Sequence, residues 1–135
     1  MRAAWRGRAQ TLRAMTLLLC ARALVAAIPF GRWRGRLGSR LGEAAPSDPR
    51  AVRRLAGQVE RAAWRLPLAT KCLPRAMALS WLLRRAGQPH SVTLAVRPPD
   101  HRGSADDLHA WVSAGDTIVL GDVPGPWLTV LRQGE

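Results

Sequence analysis

Three residues in this chain have the types and the order to run acyl chemistry: Cys72, His109 and Asp122. Cys72 stands just before a strongly helical run, Lys71 to Ala86, KCLPRAMALSWLLRRA. Pro74 marks the first turn of that helix, where a missing backbone N–H costs no hydrogen bond. Ala76, Leu79 and Leu83 follow at helical spacing on the side that carries Cys72. A sulfur at a helix start faces the positive end of the macrodipole and unpaired N–H groups, which favour the nucleophilic thiolate. His109 lies in a strand-like run, Leu108-His109-Ala110-Trp111-Val112, and Asp122 closes the next one. A thiol, an imidazole to take its proton and a carboxylate to orient the imidazole make up a nucleophilic triad. The plainer reading of Cys72 is a small buried hydrophobe.

The elements that carry His109 and Asp122 read as a hairpin, Leu108 to Ala114 and Thr117 to Asp122. Gly115-Asp116 between them suits a two-residue type II′ turn. Counting outward from an Ala114–Thr117 pair sets Trp111 opposite Leu120 and His109 opposite Asp122. Opposed side chains have Cβ atoms about 5 Å apart, within reach of an imidazole–carboxylate hydrogen bond. A turn at Ala114-Gly115 would make Asp122 the diagonal neighbour instead. Asp116, at the tip, would be about 23 Å from His109 along the strand at about 3.3 Å per residue. The register therefore selects Asp122 over Asp116, Asp106 and Asp107.

The rest of the chain must position these residues. At 135 residues and 47% hydrophobic, it is expected to form one domain, 1–135, with a basic helical front over 1–45 and a core over 46–135. The expected class is α+β, helices on a small antiparallel sheet. Residues 2–30 read as a helix or two helical pieces, with Leu12, Met15, Leu18, Leu19, Leu24, Val25 and Ile28 as the apolar side. Gly31 to Ser47 reads as a short basic helix end and a linker. Asp48 is the expected N-cap and Pro49 the first position of the next helix. In that helix Val52, Leu55, Ala56, Val59 and Ala63 face inward, and Arg50, Arg53, Arg54, Gln58 and Arg61 face outward. Leu66-Pro67 ends it. Gly87 is the expected stop of the Cys72 helix, and Ser91 to Val96 the expected first strand. Residues 98–106, PPDHRGSAD, read as a polar loop.

The formal net charge is +12, and nine arginines precede the first acidic residue, Glu43. Such a front could meet nucleic acid, anionic lipid or an acidic partner. No aromatic–basic interleaving supports nucleic acid, so none is expected as a partner. Arg22 interrupts the apolar run, and Pro29-Phe30 leads into more arginines, which argues against a secretion signal. The run also falls short of the about 20 unbroken apolar residues of a membrane span. Docking of this helix on the domain, burying Leu18, Leu19, Val25 and Ile28, is favoured over membrane contact. Two cysteines, Cys20 and Cys72, make no disulfide framework, and a reducing cytoplasm is the expected compartment. His90, His101 and His109 lack partners at zinc spacing, and no phosphate-cradling glycine loop occurs, so no metal or cofactor is expected.

Residues 59–122, VERAAWRLPLATKCLPRAMALSWLLRRAGQPH…LHAWVSAGDTIVLGD, resemble the lasso-peptide leader peptidases. These are stand-alone cysteine peptidases of the transglutaminase-like superfamily, similar to the C-terminal half of the microcin-processing maturation protein. The Cys-Leu-x-Arg-Ala-x-Ala-Leu-x-x-Leu-Leu-Arg-Arg and His-Ala-Trp-Val blocks carry the likeness together, and the basic front ending Pro29-Phe30-Gly31-Arg32 extends it. Leu108 departs from a small residue before the histidine, and Ser113 from an acidic one after the valine. These departures bear on substrate fit. The resemblance implies a transglutaminase-like, papain-like core with Cys72, His109 and Asp122 catalytic. It implies removal of the leader from a ribosomally made precursor peptide, with the Cys72 N–H as an oxyanion donor. Two partners are implied: a leader-recognition protein and a lasso cyclase, which is where ATP would be used. The alternatives are another transglutaminase-like acyl transferase and a non-catalytic basic adaptor for membrane or RNA.

Overall fold

The computed structural model describes residues 2–29, 32, 48–66, 72–101, 108–115, 117–121 and 125–133. Three helices, α1 (Arg2–Ala27), α2 (Pro49–Arg65) and α3 (Cys72–Arg85), precede four strands, β1 (Ser91–Val96), β2 (Leu108–Ala114), β3 (Thr117–Leu120) and β4 (Leu128–Gln133). The sheet runs in the order β3-β2-β1-β4 with antiparallel pairing throughout. The class is α+β, as expected. α1 lies across α2 and α3, α3 rests on β1 and β2, and α2 reaches β3.

α2 starts as its sequence dictates. The Asp48 carboxylate accepts from the Ala51 N–H at 3.1 Å, and Pro49 occupies the first turn. That cap contributes about 1 kcal/mol. At the other end Leu66 is extended (ψ 135), the conformation that the following Pro67 imposes. The expected inward residues are buried, together with Ala51, Ala62 and Gln58. Gln58 corrects the outward assignment. It is 1% exposed because α1 covers that side, and its Oε1 accepts from Arg13 at 3.2 Å while Nε2 has no partner.

α3 closes with a Schellman motif. Gly87 (φ 70) lets its N–H reach Arg84 and the Gln88 N–H reach Leu83. The Gln88 Oε1 then accepts from the Asp48 N–H at 3.1 Å, tying the end of α3 to the start of α2.

α1 is one continuous helix, and it docks. Ala14, Leu18 and Ala21 are fully buried against the other helices, a Leu18 burial that stabilises by about 1.5–3 kcal/mol. The docking face differs from the expected one. Leu19, Val25 and Ile28 remain 45%, 41% and 40% exposed. Of the stretch Gly31 to Ser47, only Arg32 lies among the described residues.

β1 and β2 have the expected bounds and pair in register from Ser91–Ser113 to Val96–Leu108. β4, which periodicity did not announce, completes the sheet beside β1. Pro99–His101 form a 3-10 turn after β1, and the rest of the expected polar loop, 102–106, lies outside the described residues.

Candidate active site

Cys72 is the first residue of α3, partly buried and packed on the core, and neither it nor exposed Cys20 is in a disulfide. Pro74 sits in the first turn and is buried. Lys71 lies outside the described residues.

Connectivity fixes which end of the sheet Cys72 occupies. α3 passes through Gly87–His90 straight into β1 and packs back on it, so the two run in opposite directions. A 14-residue helix and a 6-residue strand are both about 20 Å long. The start of α3 is therefore level with the end of β1. β2 is antiparallel to β1, and its second residue, His109, pairs with Ala95 near that end. Cys72 and His109 are thus level with the same end of the sheet, with His109 on the face opposite the core residues Ala110, Val112 and Ala114. Along β2, Ala110, Val112 and Ala114 enter the core with the helices, and His109, Trp111 and Ser113 alternate with them.

The imidazole of His109 is held on several sides. Its Nε2 lies 2.6 Å from the Gly121 carbonyl oxygen. A carbonyl only accepts, so Nε2 carries a proton, which in the neutral ring leaves the lone pair on Nδ1. Trp127 stacks on the ring with centroids 5.2 Å apart and planes at 25°, and Trp111 is tilted at 6.1 Å. The Arg97 guanidinium lies over Trp127 at 4.3 Å. Sequence reasoning missed Trp127. Its signal was weak, an aromatic directly after Gly125-Pro126 and before the alternating run of β4.

The hairpin register needs correction. Ala114 pairs with Thr117 as expected, and Gly115 has the positive φ (64) of a primed turn. Beyond that, Ser113 faces Ile118 and Val112 faces Leu120, so Val119 is a bulge. The extra residue moves Leu120 off Trp111, and the count that set His109 opposite Asp122 no longer follows. Asp122 and Asp116 themselves lie outside the described residues, as do Asp106 and Asp107. Any side chain at Gly121 would be strained. The φ there is 82, and a Cβ would fall 2.8 Å from the Ala110 carbonyl oxygen and 3.2 Å from the Trp111 Cβ.

A second histidine pair has no access to substrate. His90 is fully buried. Its Nδ1–H donates to the Gln88 carbonyl at 2.9 Å, so Nε2 accepts from the Ser80 hydroxyl at 2.7 Å. Burial pushes the His90 pKa below 6.5, outweighing the Gln88 hydrogen bond, which raises it; the Arg84 charge lowers it further. Among the described residues, no three His, Cys, Asp or Glu side chains converge in a metal-binding cluster.

Between α2 and α3 an open groove is lined by Glu60, Ala63, Trp64 and Arg75. Trp64 is 88% exposed. Arg75 lies three residues past Cys72, a neighbour on the helix surface, and stands 4.0 Å from Glu60.

A helical layer on a short antiparallel sheet, with a cysteine opening the helix that lies on the histidine strand, is a fold of the cysteine peptidase and acyltransferase type. The chain belongs to the transglutaminase-like superfamily, whose family model matches residues 15–132. No curated protein and no solved structure matches it.

Proposed function

We propose that this protein is a cysteine peptidase that cuts the leader from a ribosomally made lasso-peptide precursor. What supports the reading is a cysteine opening α3 in a transglutaminase-like chain whose His109 imidazole is oriented by the Gly121 carbonyl. The Cys- and His-block resemblance supplies the substrate class.

In this mechanism the Cys72 thiol gives its proton to Nδ1 of His109, and Sγ attacks the scissile carbonyl carbon. The Cys72 N–H at the helix start donates to the oxyanion. The C–N bond breaks, and the imidazolium protonates the leaving amine of the core peptide. His109 then deprotonates a water that opens the thioester, and the leader leaves as a carboxylic acid. Asp122, one residue past the Gly121 carbonyl, stabilises the imidazolium. The groove beside Arg75, with Trp64 open to solvent, offers the extended peptide an apolar face and a charge pair. A leader-recognition protein presents the precursor, and a separate ATP-using cyclase closes the macrolactam. The site chemistry suits a reducing cytoplasm.

The test mixes the protein with a leader–core precursor, with and without the recognition protein, and weighs the products. Hydrolysis gives a leader with a free carboxylate and a core with a free amine, faster with the recognition protein. A leader joined to an amine acceptor would make the protein an acyl transferase instead. Asp122→Asn should slow cleavage by orders of magnitude, because it removes the charge that stabilises the imidazolium. An intact precursor under all conditions would leave a non-catalytic adaptor.

A further inference from the structure

We propose that α1 seats this domain on an anionic lipid surface by a second stripe, distinct from the one that docks on the core. The docking stripe is Thr11, Ala14, Leu18 and Ala21, all buried. Leu12 and Leu19 each follow a residue of that stripe by one position, about 100° round the helix, and Trp5 lies one heptad before Leu12. These three recur every seven residues and are 72%, 62% and 45% exposed. They span about 21 Å at about 1.5 Å per residue. Arg8 falls between Trp5 and Leu12, three residues after one and four before the other. Arg22 falls three residues after Leu19. Both arginines are exposed.

Leucines and a tryptophan interleaved with arginines suit the boundary between acyl chains and headgroups. The apolar groups enter the boundary, and the long arginine stems carry their charge outward to phosphate. Each such cation near an anionic surface contributes about 1 kcal/mol. The chain's formal charge of +12, concentrated in its front, adds a field of the same sign. Among the described residues, the segment Trp5–Ala27 is long and apolar enough by composition to cross a membrane, yet its buried stripe is already committed to α2 and α3. That commitment leaves it lying on the surface. A second copy is the poorer occupant, because Arg8 and Arg22 recur along the seam and would meet arginines of the copy. An acidic helix would need carboxylates at matched positions, whereas lipid phosphates are present at every register.

The experiment sediments the full chain with vesicles of equal phosphatidylglycerol and phosphatidylcholine, and with pure phosphatidylcholine vesicles. Binding is expected to the anionic vesicles, at least tenfold weaker to the neutral ones, and to weaken as salt is raised. The double variant Leu12→Glu, Leu19→Glu should lose at least tenfold in vesicle affinity with an unchanged melting temperature, since neither residue is in the core. Absence of binding to anionic vesicles would overturn the proposal, as would binding that the double variant keeps. A dimer in sedimentation velocity that the double variant dissolves, without vesicle binding, would give the face to a second copy. Capture by polyglutamate without vesicle binding would give it to an acidic protein.

Discussion

Trp127 lies stacked on the imidazole of His109, 5.2 Å between centroids, and is itself covered by Arg97. The indole covers one face of the base. Stacked aromatic pairs contribute about 0.5–1.5 kcal/mol beyond their burial. Trp127→Ala should therefore lower kcat by about tenfold, on the conversion of about 1.4 kcal/mol per factor of ten. KM should change less. Trp127→Phe should recover most of the loss. Steady-state kinetics across pH checks this, and an unchanged kcat and pH profile in the alanine variant would leave Trp127 a packing residue only.

Two glycines should respond oppositely to alanine. At Gly121 the Cβ clash of 2.8 Å and the positive φ leave no unstrained solution, and any shift moves the carbonyl that holds His109. Strain of that kind costs on the order of 1–3 kcal/mol. Gly121→Ala should lower the melting temperature and cleavage together. Gly57, inside α2, has only the flexible end of Arg61 at 3.4 Å. Gly57→Ala should stabilise by about 0.5–1 kcal/mol from helix propensity. Thermal melts of both variants decide.

Much of this architecture is legible in the sequence where local chemistry acts alone. Asp48-Pro49, Gly87 and the alternation of Ser91–Val96 place α2, α3 and β1 within a residue. What escaped depended on tertiary packing. Gln58 reads as outward until α1 covers it. The face on which α1 docks is ambiguous because apolar side chains occupy two stripes of that helix. The Val119 bulge has no turn signature, and it displaces the whole ladder toward Asp122. β4 hides behind Gly125-Pro126, with Leu128 and Val130 exposed, so no inward face is visible in its pattern.

Gln58 buries an Nε2 without a partner, which costs about 1–3 kcal/mol relative to a satisfied group. Its one hydrogen bond comes from Arg13, an exposed side chain that water can solvate. Gln58→Met keeps the volume and removes the unsatisfied amide. Its melting temperature should equal or exceed the wild type. A fall of several degrees would show that the Arg13–Gln58 bond holds α1 in place.

His90 makes stability depend on pH. Its folded pKa is lowered below 6.5 by burial. Above 6.5 both states are neutral there, and the full stability is present. As pH falls below 6.5 the unfolded chain takes a proton that the folded one refuses, so stability drops until the folded pKa is passed. The slope is at most about 1.4 kcal/mol per pH unit. Denaturant melts between pH 7.5 and 5 should show this loss, and His90→Gln should flatten it whatever its effect at pH 7.5.

The identity of Cys72 as nucleophile is tested most directly by weighing the intact enzyme quenched in acid during turnover of a leader–core precursor. An acyl-enzyme should appear, heavier than the free protein by the leader less one water, with the added mass mapping to Cys72 after digestion. Cys72→Ala should show no adduct and no cleavage while Cys20→Ala shows both. Normal cleavage by Cys72→Ala, or an adduct on any other residue, would contradict the account.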